Sequence, residues 1–144
     1  MSATNSFEAS VIALYFNGTA HADLAQNDGS SPATAFYVSL HTADPGEAGS
    51  QNTSEAAYTG YSRVSVNRDN TGFTCSGNAA SNTAQISFGQ CTASPGSDIT
   101  HVGLGLSSSG AGTLLFTLAL TNPVAMSVGA TPIFPVGDLE FTAD

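Results

Sequence analysis

From Ala35 onward the chain is cut into short runs of alternating apolar and polar residues by clusters of Gly, Pro, Asn and Ser, and no apolar run outlasts residues 113–120. A helix needs an apolar stripe held at about 3.6-residue spacing over ten or more residues, whereas a half-buried strand needs a period-two pattern over only about four to eight. The punctuation therefore favours strands. Residues 35–42 put Phe36, Val38 and Leu40 on one face and Tyr37, Ser39 and His41 on the other, which predicts a strand with one wet or partner-facing side. Residues 58–68 alternate again, with Val64 and Val66 opposite Tyr61, Arg63 and Ser65. Further strands are expected at 73–75, 84–88, 99–106, 113–120, 125–128, 132–136 and 139–142. Strand–helix alternation of the parallel α/β kind is absent, so the expected class is all-β, a jelly-roll-like antiparallel β-sandwich with a short N-terminal helix.

The helix is expected over about 6–17. Asn5 or Ser6 can cap it, Glu8 suits the positive end of its dipole, and Gly18 follows as a stop. Phe7, Val11, Leu14 and Tyr15 fall at helical spacing, with Ile12 and Phe16 widening the stripe, so an apolar face is available for a core or a partner. Residues 19–34 turn to Ala, Asp, Asn, Gly and Ser and are read as a polar loop or arm, with the β-sandwich over 35–144. At 144 residues, one domain with a core of its own is expected.

Charge narrows the partners. Eleven acidic groups face two basic ones, Arg63 and Arg68, and no lysine, for a net charge of −9. Neutralising phosphates takes several Lys or Arg, so nucleic acid and anionic membrane surfaces are not expected partners. The N-terminus lacks the basic-then-apolar pattern of a secretory signal, and no stretch approaches the roughly 20 apolar residues of a membrane helix. Cys75 and Cys91, 16 positions apart, are expected to be reduced thiols; a bridge between them stays open.

Chemistry-bearing patterns are sparse. Residues 105–110 lack the Gly-x-Ser-x-Gly elbow and read as a hairpin loop, and a phosphate loop needs a lysine. His21, His41 and His101 are not spaced to preorganise a metal with Asp44 or Asp98, and nothing selects a catalytic pair among Glu47, Glu55, Asp69, Asp138 and Glu140. Catalytic residues, metal ligands and cofactors are thus expected to be none. Asp44-Pro45-Gly46 is a tight turn in which Pro45 presets its backbone, Gly46 accepts a positive φ and Asp44 accepts from a following amide. Tyr61 and Arg63 share a face, and Arg63 is expected to serve structure, satisfying loop carbonyls or one acid such as Asp44, with an interface contact as the alternative.

The string Tyr37-Val-Ser-Leu-His-Thr-Ala-Asp-Pro-Gly46, followed by Gly60-Tyr-Ser-Arg63, resembles a family of tailed-bacteriophage virion proteins. Its members carry an aromatic-Val-x-Leu-His-Thr-Ala-Asp-Pro-Gly motif and then Gly-Tyr-x-Arg after a short helix, and are labelled tail fibre or decoration proteins. The motif spans some 30 residues and marks His41, Asp44, Pro45, Gly46, Tyr61 and Arg63. The resemblance implies a non-enzymatic structural protein. The first reading is a capsid cement protein on the outer surface of the head, made in the host cytoplasm, binding the major capsid protein and itself as a homodimer or trimer. Phe7, Val11, Leu14, Tyr15 and Phe16 are then candidate interface residues. The alternative is a tail-fibre or baseplate component contacting the host surface; a small jelly-roll hydrolase is third.

Overall fold

The computed structural model describes residues 5–20 and 32–142. Most of the expected arm, including His21, lies outside them, as does the side chain of Phe7. Among the described residues one helix, α1 (Asn5–Asn17), precedes nine strands: β1 (Ala35–His41), β2 (Val64–Asn67), β3 (Phe73–Ser76), β4 (Ala79–Asn82), β5 (Ile86–Ser87), β6 (Ile99–Gly105), β7 (Leu114–Val124), β8 (Ile133–Phe134) and β9 (Glu140–Thr142). The chain adopts the expected all-β sandwich class with a short N-terminal helix. The strands form sheets in the orders β2-β1-β6-β7, β3-β4-β9 and β5-β8, with antiparallel pairing of β1 with β6, β6 with β7, β3 with β4, β4 with β9 and β5 with β8.

Two compact units result. The helical unit is drawn from described residues within Met1–Ala35, Asn67–Gln85 and Pro135–Asp144. There α1 packs on β3 and β4. Its buried stripe is Ile12 and Phe16, one turn apart, while Val11 and Leu14 are half-buried and Tyr15 is exposed. The expected stripe is thus rotated, because the docking surface is aromatic: Phe16 meets Phe73 edge-on at 4.9 Å and stacks on Phe141 at 5.8 Å. Phe16 is fully buried and is not available as an interface residue. The helix ends at Gly18 (φ +65°) in a left-handed cap, Gly18 N–H donating to the Leu14 carbonyl and Thr19 N–H to that of Ala13. Arg68 closes the same end, donating to the carbonyls of Leu14, Tyr15 and Ala33. A cation there also faces the negative end of the helix dipole.

Strand β4, absent from the sequence reading, is the return arm of a hairpin whose two-residue loop is Gly77-Asn78, with Gly77 at φ +60°. Its inner end is stapled by Asn82, which is buried. The side chain donates to the carbonyls of Ala84 and Pro135 and accepts from Leu139 N–H.

The sheet unit comprises Phe36–Val66 and Ile86–Phe134. Phe36, Val38 and Leu40 from β1 and Ile99, Val102 and Leu104 from β6 form its apolar core. The expected strand at 125–128 does not form. Strand β7 runs on to Val124, carrying Pro123, which is tolerated at a sheet edge; the chain then turns, with Met126 N–H donating to the Asp98 side chain at 3.0 Å.

Candidate functional site

The motif residues lie in the sheet unit, and their arrangement begins with the second face of β1. That face is not wet: Ser39 and His41 have no exposed surface. Residues 50–56 cover it. Thr42 N–H donates to the Ser54 carbonyl, Ala56 N–H to the Leu40 carbonyl, and Gln51 N–H to the Gly112 carbonyl, which pins this loop across the strands. Polar residues on that face therefore meet a polar loop instead of solvent, an arrangement with the same sequence alternation as a wet face.

The loop can approach so closely because Gly103 and Gly105 of β6 put no side chain beneath it. Gly103 pairs with Ser39 and Gly105 with Tyr37. A Cβ on Gly103 would fall 2.5 Å from His41 Nε2 and 2.6 Å from Ser39 Oγ; one on Gly105 would fall 2.2 Å from Gln51 Cδ. Gln51, fully buried, donates to the Tyr37 carbonyl and accepts from Ser107 N–H.

Within this layer, His41 Nδ1 lies 2.8 Å from the Thr53 carbonyl oxygen and Nε2 lies 2.9 Å from Ser39 Oγ. A carbonyl only accepts, so Nδ1 carries the proton and Nε2 accepts from the serine hydroxyl in the neutral ring. Burial holds the His41 pKa below its ordinary value, opposed by the Thr53 hydrogen bond and Glu55, while Arg63 and His101 push it the same way as burial. A serine bonded to an imidazole resembles a nucleophile and its base, but neither residue has accessible surface through which a substrate could reach it.

Glu55 is the acid that Arg63 engages, in place of Asp44. Arg63 Nε donates to Glu55 Oε1 at 2.7 Å and Nη2 to Oε2 at 2.8 Å, a bidentate pair. Its remaining bonds go to the carbonyls of Ser107 and Gly110 at 2.8 and 2.6 Å. Tyr61 donates to Glu55 Oε1 at 2.7 Å and accepts from Leu40 N–H at 3.1 Å. The carboxylate raises the Arg63 pKa, and burial raises that of the Tyr61 hydroxyl. Tyr61 and Arg63 thus act together, as their spacing suggests. Gln51 is not singled out by the sequence, and nothing in it pairs Glu55 with Arg63 or Ser39 with His41; the Gly103-Leu104-Gly105 pattern, small residues on one face of a strand, is the available signal.

The motif turn sits beside this network. Gly46 (φ +70°) donates to Asp44 Oδ1 at 2.9 Å, and Gly49 N–H donates to the Gly46 carbonyl. Pro45 is buried, whereas Asp44 and Gly46 are exposed. Cys75, in the helical unit, and Cys91, in the sheet unit, are free thiols, and burial raises the pKa of Cys75.

Across residues 2–142 the sequence matches the family model described as Podophage GP4 fiber I protein gp80. No curated protein matches the chain.

Proposed function

The chain belongs to the podophage GP4 fiber I protein gp80 family and is a phage structural protein, and on that basis we propose that it is a non-enzymatic component of a virion fibre. The observation that carries this reading is a match to a fibre family over nearly the whole length, so that the described units fall within the matched region. The architecture supports it. The motif residues are engaged in holding loops onto a sheet, and the Ser39–His41 pair is sealed from substrate. Units held together in this way contribute binding surface, and affinity comes from contacts repeated between copies. On this reading the expected assembly is a trimer closed about the fibre axis.

Capsid cement is the second reading, and a specific feature favours it: β7 is a long sheet edge, the kind of surface that can add a strand to a neighbouring shell subunit. Its partner is then the major capsid protein, and a homodimer on local two-fold axes is the favoured assembly. Quantitative mass spectrometry of purified virions, with antibody labelling in electron micrographs, separates the two. Copies far fewer than the shell subunits, with label on projecting fibres, support the first reading; copies comparable to the shell subunits, with label over the head, support cement and overturn it. Absence from purified virions overturns both.

A further inference from the structure

An open groove of about 540 Å³ lies between the 44–49 turn and the beginning of β7, and the network above leaves it without a role. One wall presents Asp44 and Glu47, both exposed; the other presents Leu114, Leu115 and Thr117. Among the described residues β7 has a strand neighbour on one side only, β6. Long edge strands are usually blunted by lysine, proline or a bulge. Here Pro123 stands at the far end of an 11-residue strand, and the register with β6 slips once at the groove end, where Leu115 is passed over between Phe116 and Leu114. From Phe116 to Ala119 the pairing is regular and the edge carries neither lysine nor proline, and Leu114 and Leu115 beside it are not fully buried.

Charge decides what fits. Both cations of the chain are engaged elsewhere, Arg63 with Glu55 and two loop carbonyls, Arg68 with three carbonyls of the helical unit. A fixed positive charge to answer Asp44 and Glu47 must come from another molecule. A second copy of this chain, with its net charge of −9, would bring the same carboxylates to the same edge. We propose that the groove takes an extended segment of a different protein, pairing with β7 as an added strand, with Lys or Arg at alternate positions toward Asp44 and Glu47 and apolar residues between them. In a strand, alternate side chains point to opposite sides, which suits a groove with one acidic and one apolar wall. The inference goes beyond the fibre reading and holds for either place in the virion.

The test uses the full chain and a blocked Lys-Val repeat peptide, with NMR titration and calorimetry. The expected result is perturbation and slowed exchange of amides at 114–117, and weaker binding as salt rises. The D44N/E47Q variant should bind about two- to thirtyfold more weakly, the span for two exposed charge pairs. It keeps the Asp44 acceptor for Gly46 N–H as an amide oxygen, so the turn survives. A backbone N-methylated peptide of the same charge should bind poorly, because it cannot donate to an added ladder. Four outcomes overturn the proposal: no binding at low salt, undiminished binding by D44N/E47Q, equal binding of the methylated peptide, or self-association of the chain through β7 in sedimentation.

Discussion

Arg63 commits four N–H donors to a carboxylate and two carbonyls, joining the strand that follows Tyr61 to the 50–56 loop and the 107–110 loop. A lysine in its place offers one compact ammonium that cannot fork across Glu55 and reach Ser107 and Gly110 together. Arg63→Lys is therefore expected to lose about 2–4 kcal/mol in urea unfolding, somewhat less than the roughly 3–5 kcal/mol for removing one partner of a buried pair, because lysine keeps the charge; a loss under about 1 kcal/mol would contradict the geometry. His41 makes a second, pH-dependent contribution. Its folded pKa lies below the ordinary 6.5. On acidification the unfolded chain takes up a proton first, so the contribution is present above 6.5 and declines as pH falls through that value toward the folded pKa. Thermal melts should show stability falling in this window, and His41→Asn, which keeps a donor for the Thr53 carbonyl without titrating, should flatten the slope even where it lowers the melting temperature overall. An unchanged slope would remove His41 as its source. The carboxylate of Asp69, held below its usual 3.8 by Thr71, belongs to a separate and more acidic window.

At the scale of elements, the turn and the glycine face make the sharper claims. Gly46→Val forces a β-branched residue to φ +70° although space is open around it, so its penalty is conformational, about 1–2 kcal/mol. Gly103→Ala acts by the opposite route. No positive φ is involved, but the added methyl meets two fully buried polar side chains, for about 1–3 kcal/mol. Comparing the two by chemical denaturation, with Asp44→Ala as the milder turn variant, tests whether the motif strand is held from both sides. Much of this was legible in the sequence. The β1 alternation, the Asp44-Pro45-Gly46 turn, α1 with its Gly18 stop, and β6 all read directly from spacing and turn chemistry. The helix face did not, because six apolar residues on a short helix allow several stripes, and only the Phe73–Phe141 surface selects Ile12 and Phe16. Strand β4 was hidden because Ala79–Asn82 has no large apolar residue, although Gly77-Asn78 announces its turn. Of the network, His41, Tyr61 and Arg63 were identifiable, while Glu55 sits in a polar loop whose contact with Arg63 is set by tertiary structure alone.

For the whole molecule the dominant physical fact is charge of one sign. With 11 acidic groups against two arginines, the folded state gathers mutual repulsion that the expanded chain relieves by spreading its carboxylates apart. The Arg63–Glu55 pair is little screened by salt, since the arginine side chain is only 2% exposed and the glutamate 16%. Added monovalent salt should consequently weaken repulsion more than attraction. Raising NaCl from about 10 mM to about 300 mM is expected to raise the melting temperature at neutral pH by about 2–4 °C, the shift that roughly 1 kcal/mol produces in larger domains. Choline chloride should act as NaCl does, because screening depends on ionic strength and not on a bound cation. A melting temperature that falls with salt would mean that exposed attractive pairs outweigh the repulsion. A rise confined to one cation would point to a specific ion site in place of the diffuse acidic surface.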